Sequence, residues 1–289
     1  MTTTVIDCGP SSRVSSRSLA WTSSHSLAAA CSDKLVRLWS PDGREQGSLA
    51  QAAPVTVVRW NGGVLGAVAG SECQWWDVRA SKSLHKMEVG GGGGIVTLEA
   101  TTGTWALVTP HRISLYDPRQ WNKPVATQKT STRAQAAVFG PNDSLIVATG
   151  DAQQPSRLTV WKDPTSTAAD NTVSSYPAHT GAVYAMDYHR DGRLATAGSD
   201  ALVALWNTQH MICTDTWTSP LQFVTSVAWN ADRLAYATIE VVRVDDEPAT
   251  VLEGGGAEAL AWHPTQASLL ACARADHPER APVALVTVS

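Results

Sequence analysis

The chain has 289 residues, 43% of them hydrophobic and 17% charged, so it can fill a sizeable core and no long charged tail is expected. Its formal net charge of −4 argues against a stand-alone nucleic-acid binder, which carries a strongly basic face. The charge is uneven: residues 1–150 hold 14 Lys+Arg and 10 Asp+Glu and residues 151–289 hold 8 and 16, so a basic and an acidic side are expected.

In chain order, the first element is a lone strand from Thr2 to Cys8. After it, an apolar run ending in an aromatic recurs as Leu19-Ala20-Trp21, Val57-Val58-Arg59-Trp60, Ala137-Val138-Phe139, Met186-Asp187-Tyr188, Val227-Ala228-Trp229 and Leu260-Ala261-Trp262. A degenerate copy, Val96-Thr97-Leu98-Glu99, falls between the second and third. The spacing is about 40 residues, close to that of a WD40 blade. Each copy leads into a small-residue strand, a tight turn and a third strand ending in an aromatic. Leu27-Ala28-Ala29-Ala30-Cys31, Ser32-Asp33-Lys34 and Val36-Arg37-Leu38-Trp39 show the pattern in the first unit. Trp76, Tyr116, Trp161 and Trp206 take the place of Trp39 in units two to five, with Val242 and Val286 in the sixth and seventh. These short β-branched or small-residue strands, punctuated by Gly, Asp, Asn and Pro, leave no room for a long helix.

Seven four-stranded units of this length predict an all-β chain, a seven-bladed WD40 β-propeller spanning residues 1–289 as one domain. Open sheet edges must be managed, and the phase of the repeat offers a way. The chain starts on the lone strand and ends on another, Val283 to Val288, so the two are expected to pair in one blade. The fifth unit carries Ala178-His179-Thr180-Gly181, Thr196, Asp200 and Trp206. In WD40 repeats His, Ser/Thr, Asp and Trp at these places form a buried hydrogen-bond chain, in which each polar group has a partner. Gly90–Gly94 and Gly254–Gly256 occupy connections between other blades and read as mobile linkers.

No GxxxxGK[ST], HExxH or GxSxG motif is present, and no catalytic residue, cofactor or metal site is expected. His179, Thr196 and Asp200 imitate a catalytic triad in residue type, but their spacing is that of the structural network. The five cysteines Cys8, Cys31, Cys73, Cys213 and Cys272 stand singly, which fits a reducing compartment better than a disulfide framework. No secretory signal or membrane-length apolar run is visible. His189 and His263 follow inner strands and read as exposed turn residues, and Asp245-Asp246-Glu247 as a solvated acidic loop. Trp121 and Trp217 fall outside the repeating aromatic positions, so they are candidates for partner contact, with packing on an outer strand as the alternative. Trp76-Asp77-Val78-Arg79 matches the WDxR motif of propellers that dock on cullin-type ubiquitin ligases, which makes Arg79 a further candidate; Tyr116-Asp117-Pro118-Arg119 is a weaker version.

Three segments narrow the likeness. Trp76-Asp77-Val78-Arg79-Ala80-Ser81-Lys82 is similar to a WDVRTTK-type blade end. Gly198 to Trp206, continuing through Met211-Ile212-Cys213, is similar to a GSxDALVSLWD…xxCxR blade. Ala261-Trp262-His263-Pro264 with Leu269-Leu270-Ala271 is similar to a final AWHPxxxLLA, and Ile239 to Val244 lacks Trp in the same way. On these residues the chain resembles the WD-repeat subunits of the THO complex, part of the transcription–export machinery that packages nuclear mRNA. Asp151 to Arg157, an insert, and the Gly90–Gly94 run depart from that pattern. The resemblance implies a non-catalytic nuclear propeller that docks on the large helical THO scaffold subunit and other THO subunits. It would engage the RNA helicase of the export machinery indirectly, contact RNA at most secondarily, and bind no membrane. The rival expectations are a substrate receptor of a cullin-type ligase and a propeller subunit of another nuclear complex, such as a histone-methyltransferase or polyadenylation assembly.

Overall fold

A computed structural model describes residues 2–6, 16–22, 26–89, 96–101, 103–151, 154–165, 173–219, 222–245, 255–274 and 283–288. The short strands pair with their sequence neighbours because tight turns permit nothing else, and the result is the seven sheets of a β-propeller. Blade 1 is Ser16–Trp21, Leu27–Cys31, Leu35–Trp39 and Glu45–Ala50; blade 2 is Val55–Asn61, Val64–Ala69, Glu72–Asp77 and Lys82–Glu88. Blade 3 is Thr97–Ala100, Trp105–Thr109, Arg112–Tyr116 and Ala126–Lys129; blade 4 is Ala134–Phe139, Leu145–Asp151, Gln154–Trp161 and Val173–Pro177. Blade 5 is Val183–Tyr188, Arg193–Gly198, Leu202–Asn207 and Ile212–Thr218. Blade 6 is Ser226–Asn230, Arg233–Ala237 and Val242–Val244; it has three strands among the described residues, not the four the repeat predicts. Blade 7 is Ala257–Trp262, Leu269–Arg274 and Val283–Thr287, and its fourth strand is Thr2–Ile6, paired antiparallel from Thr2↔Thr287 to Ile6↔Val283. The one helical turn among the described residues is Pro141–Asp143.

The blades fall into two compact units. Residues 1–89 with 225–289 carry blades 6, 7, 1 and 2; residues 90–224 carry blades 3, 4 and 5. In the first unit, alternation along a strand sends side chains to opposite faces, and both faces are buried. Leu27, Ala29 and Cys31 pack toward blade 7, while Ala28 and Ala30 pack toward blade 2. Small residues are needed there because two sheets press on one strand.

The register explains the recurring aromatics. In blade 5 Leu194 lies between Tyr188 and Trp206; in blade 1 Leu27 lies between Trp21 and Trp39, and in blade 2 Leu65 between Trp60 and Trp76. Leu270 lies between Trp262 and Val286 in blade 7, so Val286 holds the third-strand place. Val242 does not: it pairs with Ala237, and the Asp245 N–H reaches the Leu234 carbonyl at 2.7 Å, so Asp245 stands opposite the equivalent leucine. The third strand of blade 6 is too short to carry an aromatic to that end. Blade 3 exchanges volumes, with Ala100 at the inner-aromatic place and buried Trp105 at the leucine place.

Side chains also bond from blade to blade. The Trp21 indole donates to the Ala261 carbonyl at 3.0 Å, and the Trp262 indole to the Ala228 carbonyl at 3.0 Å. The Ser18 hydroxyl accepts the Val58 N–H, and the Ser226 hydroxyl the Leu260 N–H, both at 3.1 Å. The glycine-linker expectation needs correction at its end: Gly256 donates to the Ile239 carbonyl at 3.0 Å, and a Cβ there would meet the Thr238 carbonyl at 1.8 Å. Glycine serves close approach at this position. Gly90–Gly94 and Gly254 lie outside the described residues.

Candidate functional site

The polar chain of blade 5 is the most complete side-chain constellation. His179 precedes the inner strand, Thr196 sits mid-way along the second, Asp200 in the following turn and Trp206 on the third. His179 Nδ1 lies 2.9 Å from one Asp200 carboxylate oxygen, so this nitrogen carries the proton. Its Nε2 is 2.7 Å from the Thr196 hydroxyl, which donates to it and accepts the Trp206 indole N–H at 2.9 Å. Asp200 also accepts the Thr180 N–H at 3.0 Å. His179 is 3% and Thr196 0% exposed. A nucleophile needs access to a reacting atom; Thr196 has none, so the arrangement binds strands together.

The first blade answers the same need with different chemistry. Asp33 occupies the turn place of Asp200, yet its partner is Arg37 from the third strand, in a bidentate contact at 2.9 and 2.6 Å. Asp33 raises the pKa of the largely buried guanidinium. Burial raises that of the neighbouring Cys31 thiol. The pair was not read from the sequence, because Arg37 lies on a strand that otherwise alternates apolar residues and nothing in the spacing marks it. The serines that reach the next blade do carry a signal: Ser18 and Ser226 each stand three residues before an inner-strand Trp.

The other candidates lie apart. Arg79 is exposed in the turn after the third strand of blade 2, beside a hollow of about 300 Å³ lined by Gly62, Gly63, Val64, Asp77 and Leu84. In the weaker tetrad Arg119 instead folds back on Asp117 at 2.7 Å, and its guanidinium holds that carboxyl down at about 2. Trp121 is half-buried, its ring 6.4 Å from that of Trp105. Trp217 is half-buried on the outer strand of blade 5, its indole 3.2 Å from Asp215.

Two turn residues differ from expectation. His263 is 1% exposed: it packs edge-on against Trp21 at 4.6 Å, and its Nδ1 accepts the Gln266 N–H at 2.9 Å. The Pro264 turn folds it inward against the neighbouring inner strand. His189 is half-buried and lies 2.7 Å from Asp191. Asp245 is engaged with Arg233 at 3.2 Å and the Leu234 N–H at 2.9 Å, whereas Asp246 and Glu247 lie outside the described residues. Among the described residues no three His, Cys, Asp or Glu side chains come close enough to hold a metal, and no helix is long and apolar enough to cross a membrane.

Comparisons with known proteins agree with this architecture. The WD40 model (WD domain, G-beta repeat) matches residues 4–40 and 170–207, which hold blade 1 through its third strand and blade 5 through its third strand. A WD repeat-containing protein, AAC3 of Dictyostelium discoideum, is 30% identical over 110 residues, 35% of this chain; the match spans 23% of that protein's length. A chain in the crystal structure of the Mitotic Checkpoint Complex superposes with a TM-score of 0.79 at 17% identity, covering 100% of this chain and 95% of the other. U3-55K gives 0.78 at 14% identity, covering 99% and 98%. The chain thus carries WD40 repeats on a seven-bladed propeller fold.

Proposed function

We propose that this propeller is a non-catalytic protein-interaction scaffold and a subunit of the THO/transcription–export complex, supporting nuclear mRNA packaging and export. The observation that carries the finer reading is the ordered set of three resembling segments, 76–82, 198–213 and 261–271, spread over blades 2, 5 and 7. A scaffold role is in keeping with a fold that presents its loops on a rigid framework. It is in keeping too with a polar network closed to solvent. Its partners are then the large helical THO scaffold subunit and its companions, with the export RNA helicase engaged through them and RNA contacted at most secondarily.

The test is affinity purification of the tagged chain from nuclease-treated nuclear extract, followed by mass spectrometry. Nuclease-resistant recovery of THO subunits supports the reading. Recovery of a histone-methyltransferase or polyadenylation assembly replaces it. The exposure of Arg79 favours one second reading, a receptor for a cullin-type ligase. Arg79→Ala then abolishes adaptor binding; on the THO reading it leaves assembly intact.

A further inference from the structure

In blades 3, 4 and 5 the turn between the second and third strands, and the connection into the next inner strand, lie at the same end of the sheet. At that end of blade 3, exposed Arg112 stands directly opposite exposed Lys129 across the third and fourth strands. Like charges facing each other in a sheet are destabilising. The chain then adds to them. The Thr130 N–H reaches the His111 carbonyl at 3.2 Å and the Ala134 N–H the Pro110 carbonyl at 2.7 Å, which brings exposed His111 and Arg133 beside the pair. Among the described residues no carboxylate forms an ion pair with Lys129 or Arg133, and Asp200, at this end of blade 5, is held by His179.

An apolar feature adjoins the cations. Gln135, two residues past Arg133, accepts the Val183 N–H at 2.9 Å through its side-chain oxygen. The next residue, Tyr184, sits in the bulge of the inner strand of blade 5 and is 48% exposed. Its ring meets that of Phe223, 58% exposed, edge-to-face at 6.3 Å. Two large exposed aromatics in contact, next to a cluster of cations, have the make-up of an interface anchor with a charged flank.

We propose that this end of residues 90–224 docks an acidic segment of a partner protein, its carboxylates on His111, Lys129 and Arg133 and an apolar side chain on Tyr184 and Phe223. Charge complementarity selects the acidic partner. A protein is favoured over RNA because the two rings are packed edge-to-face on each other and do not form an open stacking platform, and because the whole chain is net acidic. The inference deepens the scaffold reading and rests on it.

The test uses the full chain and a fluorescein-labelled peptide alternating Glu and Asp around a central Leu-Phe, read by anisotropy. Binding should weaken as salt rises. It should fall at least tenfold in Lys129→Glu/Arg133→Glu and in Tyr184→Ser/Phe223→Ser. Lys129→Gln/Arg133→Gln, a milder exposed change that keeps the test open where the reversal disturbs folding, should weaken it in the same direction. Equal affinity in all variants, or no binding up to about 1 mM, overturns the proposal. So does tighter binding of fluorescein-labelled oligouridylate that the same substitutions abolish. Run through the affinity purification, the charge-reversed chain separates the two ideas. Assembly recovered without peptide binding by the wild type removes the surface and leaves the scaffold role. Peptide binding lost in the variants while no THO subunit is recovered by the wild type upholds the surface and removes the THO reading.

Discussion

Blade 5, in one unit, and the mutually adjacent blades 7 and 1, in the other, solve one problem in opposite ways. A sheet with buried faces must still satisfy its polar groups. Blade 5 does so within itself: His179, Thr196, Asp200 and Trp206 come from its own strands and turns, and the chain of bonds ends on its own Thr180. Blades 7 and 1 reach outward. Trp21 and Trp262 donate to the inner strand of the adjoining blade, and blade 7 takes its fourth strand from the far end of the chain. An internal network ties a blade's own strands together, whereas external bonds make blades depend on one another; blade 5 adds one of these too, from its Val183 N–H to Gln135. The repeat tolerates either, because what recurs, in every blade but the third, is a Leu opposite an inner-strand aromatic and not the polar set around it.

The largest test removes the external device outright. Deleting residues 1–8 takes away the strand opposite Val283–Thr287, together with buried Ile6. Thermal unfolding should shift down by about 10 °C; an unchanged midpoint would mean that blade 7 does not need the borrowed strand. Next is the internal device. Trp206→Ala removes a buried indole and orphans a bond to Thr196, and should cost about 3–5 kcal/mol in denaturant titration.

A matched pair compares the two aspartates. Asp200→Ala leaves buried His179 and the Thr180 N–H without their acceptor and should cost about 2–3 kcal/mol. Asp33→Ala should cost about 1–2 kcal/mol, because the Asp33 side chain is 23% exposed and water can stand in for it. Equal costs would erase the distinction between a closed network and a partly solvated ion pair. Trp262→Phe keeps most of the ring and loses only the donor to Ala228, so about 1 kcal/mol is expected from equilibrium unfolding.

The smallest effect is chemical. Cys31, Cys73 and Cys272 are buried while Cys213 is exposed. Burial pushes the buried thiols up, Cys272 to about 12. The unfolded chain therefore ionises these thiols first. The contribution of Cys272 to stability is full below the ordinary thiol range and is lost as pH rises toward about 12. Site-resolved mass spectrometry after brief alkylation should find Cys213 modified and Cys31, Cys73 and Cys272 protected, and Cys272→Ala should flatten the alkaline limb of the stability curve.

The blade order could be read from the sequence wherever an aromatic closed an inner strand. Trp21, Phe139, Tyr188 and Trp262 end inner strands, and Trp60 and Trp229 stand one residue before the end of theirs. Position within a shortened strand was not readable: Val242 looked like the third-strand anchor only because the strand's end, at Asp245, has no aromatic to mark it. His263 looked like a turn residue, and its burial depends on Trp21, more than two hundred positions away. The same limit hid the Arg37–Asp33 pair and the Arg112–Lys129 juxtaposition. Both are set by hairpin register, which composition does not encode. Trp121 and Trp217 remained ambiguous for a related reason, since an aromatic outside the repeat can pack on an outer strand as readily as it can meet a partner.

The pairing of Thr2–Ile6 with Val283–Thr287 has a consequence on the ribosome. Thr2–Ile6 leaves the exit tunnel about 280 residues ahead of its partner. At about 5–20 residues per second, the interval between them is roughly 15–60 s. Throughout it, blade 7 is incomplete and one β-branched segment waits with its backbone groups unpaired. Closure of blade 7 thus waits on the synthesis of the intervening blades, and a chaperone that shields the extended Thr2–Ile6 segment would act during that interval.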